Sequence, residues 1–64
     1  MRQVTLFLMR SGWMMRDTDP EVKRLFGTDT LPTAFTPRAD PAVVLSAIQK
    51  LNPDAEVRMV GLPS

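Results

Sequence analysis

The sequence predicts a small α+β domain, in which a β-hairpin is followed by two short helices and a last strand. Three observations lead to this fold class. Apolar and β-branched residues fill a strand-length segment near the N-terminus. Asp-Pro pairs stand at 19–20 and 40–41, and an aspartate N-cap with proline at the first helical position starts a helix. The segments after both pairs carry apolar residues at helical spacing.

Residues 3–10 are predicted to form the first strand, because they are mainly β-branched, aromatic or long apolar residues. Apolar residues occupy both alternating faces of this segment, whereas a surface hairpin normally has one polar face. We therefore expect this strand either to be central in the sheet or to meet a partner on its second face. Ser11-Gly12 is suited to a tight turn, and residues 13–16 are predicted to form the returning strand.

Residues 20–26 are predicted to form the first helix, which ends at Gly27. The second helix is predicted over residues 41–51, and its last turn is followed by Asn52 in a left-handed conformation. Residues 56–60 alternate in polarity and are predicted to form the closing strand. The apolar stripe predicted for the second helix is widened by Val43 and Leu45, and its continuous part consists of Val44, Ala47, Ile48 and Leu51.

The whole chain, residues 1–64, is predicted to be a single domain with the element order β-β-α-α-β. A Thr/Pro-rich loop is expected over residues 28–39 and a tail over residues 61–64. The loop is interpreted mainly as a connection anchored by Leu31 and Phe35, with a binding loop as the alternative. The predicted sheet is three-stranded and antiparallel, in the order 3-1-2, with both helices on one face.

Composition argues against several kinds of chemistry. The 64 residues include no cysteine and no histidine, so there is no disulfide, no thiolate or imidazole metal ligand and no histidine base. Asp17, Asp19 and Glu21 could suggest ligands for a hard metal ion, but the segment lacks the glycine of a calcium loop. Helix capping and dipole complementarity account for Asp19 and Glu21 without a metal. We therefore predict no catalytic, cofactor-binding or metal-binding residues, and a protein that is not an enzyme.

The apolar run near the N-terminus is too short to cross a bilayer, so no membrane association is expected. Because no targeting segment is recognised, a cytoplasmic location is the default expectation.

Four apolar residues on the predicted hairpin are the candidates for partner binding. Aromatic residues and methionine are enriched at protein–protein interfaces. These candidates are Phe7, Trp13, Met14 and Met15. The alternative is that Trp13 and Met15 fill the core and leave Met14 as a lone exposed residue. A homodimer with Phe7, Met9 or Met14 at the contact is expected, because the first strand is apolar on both faces and the helices can cover only one of them.

Arginines at the predicted strands and their ends suggest a second function. Basic strands can contact the phosphates of a nucleic acid. The arginines concerned are Arg2, Arg10, Arg16 and Arg58. The favoured interpretation of these arginines is that they are solvated residues that discourage edge-to-edge aggregation of strands. The formal net charge is only +1, so a non-enzymatic, self-associating module that binds a protein partner is preferred over a nucleic-acid-binding regulator.

The predicted hairpin with Gly12-Trp13 and Asp17, followed by a helix and a strand, resembles the HicB-like antitoxin domain. The resemblance covers the first third of the chain and consists of common residues. We carry no function across from it.

Overall fold

The computed structural model describes residues 2–60, and it confirms the predicted α+β class. The predicted tail over residues 61–64 lies outside the described residues. The elements, in chain order, are β1 (Gln3–Met9), β2 (Gly12–Asp17), α1 (Pro20–Phe26), β3 (Thr30–Pro32), α2 (Pro41–Leu51) and β4 (Glu56–Met59).

The four strands form one mixed sheet in the order β3-β2-β1-β4. β1 is antiparallel to β2 and parallel to β4, and β2 is antiparallel to β3. The first strand is therefore central, between its two predicted neighbours. The prediction of three antiparallel strands was wrong, because β3 makes an additional crossing of the sheet in the direction of β1. Helix α2 then returns the chain, so β4 runs parallel to β1, as parallel strands joined by a crossover helix do.

The Thr/Pro-rich segment is not irregular throughout, since it contains β3 on the sheet edge. Leu31 pairs with Met15 of β2, and the edge position tolerates the missing N–H of Pro32. The segment continues along β2, where the Phe35 carbonyl accepts a hydrogen bond from the Trp13 amide at 3.1 Å. Gly12 is required at this contact, because its φ is +135° and a Cβ there would lie 2.7 Å from the Phe35 carbonyl oxygen.

The core lies between one face of the sheet and α2. Its fully buried side chains come from β1, β2 and α2, and Val57 and Met59 of β4 pack against them, as the alternation of that strand predicts. The buried apolar residues are Val4, Leu6, Trp13, Val44 and Ile48. In the predicted stripe of α2, Leu51 does not join this core, because its side chain is 75 % exposed at the end of the helix.

Both helices begin as predicted. The Asp19 carboxylate accepts the Glu21 amide at 3.0 Å, and the Asp40 carboxylate accepts the Ala42 amide at 2.9 Å. Gly27 ends α1 with a φ of +74°. Asn52, however, ends α2 with a φ of −131°, so the predicted left-handed conformation is absent there.

The two helices do not both cover the sheet, which corrects the prediction. α1 has no buried residue, and Leu25 and Phe26 are 64 % and 61 % exposed. The Asp17 amide donates to the Asp29 carbonyl at 2.9 Å, so the chain enters and leaves α1 at the same point of the sheet. α1 is therefore an excursion from the end of β2, and only α2 crosses the sheet.

Candidate functional site

The face of the sheet opposite α2 is the candidate interaction surface, and we call it the open face. The pairing of the strands shows which residues lie on the open face. Paired residues on neighbouring strands point to the same side of the sheet, and successive residues along one strand point to opposite sides. Within residues 2–60, none of its members belongs to the core or to the side chains packed against the core. The open face consists of Gln3, Thr5, Phe7, Met9, Met14, Arg16, Thr30, Pro32, Glu56 and Arg58.

Phe7 and Met14 form the apolar centre of the open face. They are cross-strand partners on β1 and β2, and both side chains are half-buried. The Arg16 guanidinium carbon lies 5.9 Å from the centroid of the Phe7 ring, a distance at which a cation–π attraction operates. Pro32 pairs with Met14 and continues the apolar surface towards the β3 edge. This centre combines an aromatic ring, a flexible thioether and a cation.

Two arginines lie on either side of Thr5 in the same face. Thr5 pairs with Arg16 of β2 and with Arg58 of β4, and both arginine side chains are exposed. Arg58 donates to the Glu56 carboxylate at 2.8 Å, so an acid on the same strand partly balances its charge. The structure thus brings together two of the four arginines that the sequence analysis singled out. Arg10 lies exposed in the β1–β2 turn.

Trp13 and Met15 lie on the other face, towards α2. Trp13 is 1 % exposed, and Met15 is half-buried against the same core. This placement corresponds to the alternative in which these two residues fill the core. The indole N–H of Trp13 is buried without a hydrogen-bond partner among the described residues. Of the four apolar candidates, only Phe7 and Met14 are therefore on the open face.

Arg2 forms an ion pair with the buried Asp17, and this pair stabilises the fold. Its guanidinium donates to the Asp17 carboxylate, with the shortest bond at 2.9 Å, and also bonds the Asn52 side-chain oxygen. The Asp17 side chain is 1 % exposed and also accepts the Asp19 amide at 2.9 Å. The pair joins the ends of both hairpin strands to the end of α2. Arg2 is accordingly a fold-stabilising residue, which the linear sequence did not reveal.

The environment of Asp17 shifts its titration. Burial alone would raise the pKa of the Asp17 carboxyl. The hydrogen bonds from Arg2 and from the Asp19 amide, together with the positive charge of Arg2, outweigh burial and place the pKa below its ordinary value. Asp17 is therefore held as a carboxylate, and it is the acceptor that orients Arg2.

A second apolar area lies along the outer side of α2. A shallow depression of about 370 Å³ is lined by Ala42, Val43, Ser46, Ala47 and Lys50. All the residues that line it lie on one helix, so the depression is open to solvent and no second element of the described chain closes over it. Its lining consists of aliphatic side chains, the Ser46 hydroxyl and the Lys50 amine. No polar group from another described element points towards these two.

No group of three His, Cys, Asp or Glu side chains within residues 2–60 is arranged to hold a metal ion. Neither helix in the described part of the chain has the length and apolar content needed to cross a membrane. The chain matches no protein-family model, no curated protein and no solved structure.

Proposed function

We propose that this chain is a small, non-enzymatic interaction module that self-associates, and that its open face binds a protein partner. One observation carries the proposal. Phe7 and Met14 stand opposite each other at the centre of a sheet face that takes no part in the core. Aromatic residues, methionine and arginine are the residue types enriched at protein interfaces, and Arg16 adds the third of them.

The chemistry of the open face indicates what kind of partner fits it. An apolar centre accepts an aliphatic or aromatic side chain, and the flanking Arg16 and Arg58 favour carboxylates beside that side chain. Among the open-face residues within 2–60, Glu56 is the only acid, and it already accepts a hydrogen bond from Arg58. A partner surface with an apolar residue between acidic ones is thus the best complement.

Capture from a lysate of the source organism tests this proposal. Phe7→Ser and Met14→Ser should each remove the captured protein and leave the circular dichroism spectrum unchanged, because neither side chain belongs to the core. The matched control is Phe26→Ser, which removes an aromatic side chain that is 61 % exposed on α1. Capture that persists after both open-face changes, or that is lost with Phe26→Ser, would contradict the proposal.

Single-stranded nucleic acid is the second candidate, because Phe7, Arg16 and Arg58 lie on one face. Bases stack on aromatic rings in open sheets, and arginines neutralise phosphates. Changing Arg16 and Arg58 together to Ala should then flatten the log–log salt dependence of binding by about 1.4, at about 0.7 per single-strand contact. The protein partner is preferred because the net charge is only +1 and Glu56 offsets Arg58. Tight, salt-dependent binding of an oligonucleotide would reverse this order.

A further inference from the structure

The two edges of the sheet differ in their capacity to pair with another strand. The β3 edge is three residues long and contains Pro32, which has no N–H to donate. The β4 edge, Glu56–Met59, contains no proline, and no strand among residues 2–60 lies on its outer side. An unprotected edge of this kind is a template for strand addition.

The backbone of β4 shows which groups point outward. The Glu56 amide donates to the Arg2 carbonyl and the Val60 amide to the Leu6 carbonyl, each at 3.0 Å, both towards β1. Backbone groups alternate in direction along a strand. The N–H and C=O of Val57 therefore point away from β1, in the plane of the sheet, and are available to a further strand.

We propose that two copies of the chain pair through their β4 strands, antiparallel, about a two-fold axis at Val57. In this register the two Val57 residues exchange both backbone hydrogen bonds. Each Glu56 then stands opposite Arg58 of the second copy, on the open face, and each Arg58 stands opposite Glu56. A two-fold interface requires this self-complementarity.

The charges also select this register over its neighbours. A shift of the axis to residue 58 would place Arg58 opposite Arg58, and a shift to residue 56 would place Glu56 opposite Glu56. Like charges directly opposite each other destabilise a strand pair, whereas opposite charges stabilise it. A register shifted by one residue would place Val57 of one copy opposite residue 56 or 58 of the other. Core-facing residues of one copy would then lie against open-face residues of the other.

This inference deepens the proposed self-association and relocates it from the apolar face to the sheet edge. A face-to-face dimer would bring Arg16 and Arg58 of both copies together, with only Glu56 to offset them. The edge dimer instead joins the two open faces side by side in one eight-stranded sheet and leaves Phe7 and Met14 free for a partner. Its contact is only four residues per copy, so the dimer is weak, with a Kd on the order of 0.1–1 mM.

The amide spectrum of the full chain, recorded by NMR from micromolar to millimolar concentration, tests the inference. Concentration-dependent shifts are expected at Val57 and Met59, which lie on the free edge. Glu56→Arg and Arg58→Glu should each weaken this association about tenfold. An equimolar mixture of these two variants should associate, and the double exchange Glu56→Arg with Arg58→Glu should restore self-association.

The matched control is the exposed pair Glu21–Arg24 on α1, whose atoms lie 2.6 Å apart. Glu21→Arg and Arg24→Glu change the net charge equally and should leave the association unchanged. If a single charge reversal on β4 unfolds the chain, the self-association of the native chain is measured at increasing salt instead. Association through the charged β4 contact should weaken as salt rises.

Distinct results would overturn different parts of the account. A chain that remains monomeric at millimolar concentration overturns both the edge dimer and the proposed self-association. Association that is unchanged by Glu56→Arg, by Arg58→Glu and by salt overturns the edge dimer alone. Loss of association with Phe7→Ser does the same and favours the face-to-face contact. Partner capture by the open face is measured at low concentration and can succeed or fail independently of these results.

Discussion

The two faces of this sheet are formed by the same strands, yet one holds the fold together and the other does not. Leu6 and Phe7 are neighbours on β1, and both are large apolar residues. Leu6 is fully buried beneath α2, whereas Phe7 is half-buried on the open face beside Met14. What distinguishes them is the helix on one side only. An apolar residue in a strand therefore indicates the strand, and the topology determines whether it becomes core.

The largest effect is expected from a truncation beneath the covered face. Ile48→Ala removes a 5 % exposed side chain of α2 from the core, and such truncations cost about 2–5 kcal/mol. This loss is a large part of the free energy of unfolding of a domain of this size. Lys50→Ala, on the outer side of the same helix, is the control. Urea unfolding monitored by circular dichroism measures both variants. Equal midpoints for the two would show that the helix presents a different side to the sheet.

Acid should weaken the covered side through Asp17, which pairs with Val4 on that side of the sheet. The pKa of Asp17 is lower in the folded chain than its ordinary value of about 3.9. Its stabilising contribution is thus complete above about pH 4 and is lost as the pH falls through the lowered folded pKa. Unfolding free energies measured from pH 7 to pH 2 should show this loss.

Asp17→Asn is the control for the acid prediction, because an amide cannot titrate. The variant should be less stable at pH 7, since Arg2 loses its buried charged partner and keeps only the exposed Asp54 at 3.4 Å. Its stability should then decline less steeply below pH 4 than that of the native chain. A parallel decline in both chains would assign the acid sensitivity to other carboxylates.

The two helix caps extend the comparison to smaller effects. Asp40→Ala should cost about 0.5–2 kcal/mol, because it removes the cap of the helix that covers the core. Asp19→Ala removes a cap of the same geometry from α1, which has no buried residue. α1 can fray at little cost to the core, so the Asp19 change should cost less. Thermal unfolding of the two variants compares them directly, and a larger loss for Asp19→Ala would give α1 a packing role.

Much of the secondary structure was predictable, because its signals are local. The Asp-Pro starts, Gly27 and the alternation in β1 and β4 each act within a few residues. β3 was missed because a three-residue edge strand with Pro32 has the composition of a loop, and only its pairing with β2 defines it. The direction of β4 was missed with it, since that direction depends on how often the chain crosses the sheet.

The candidate surface was predictable only in part. Alternation along β2 separates Met14 from Trp13 and Met15, whereas the pairing of Phe7 with Met14 is known only from the register of the hairpin. Which of the two sets α2 covers depends on contacts more than 25 residues apart in the chain, such as those of Trp13 with the core of Val44 and Ile48. The pairing of Arg2 with Asp17 is also non-local, because it joins residues 15 positions apart. Patterns within a few residues of the sequence do not indicate such contacts.

The central claim is that the two faces of one strand have different roles, and the unfolding free energies of Leu6→Ala and Phe7→Ala test it most directly. Both variants are measured by urea unfolding at low micromolar concentration, where the chain is monomeric in this account. Leu6→Ala should lose about 2–5 kcal/mol as a core truncation, and Phe7→Ala about 1 kcal/mol or less, as a cross-strand contact. Equal losses would mean that Phe7 is part of the core, and the open face would then be no free surface for a partner.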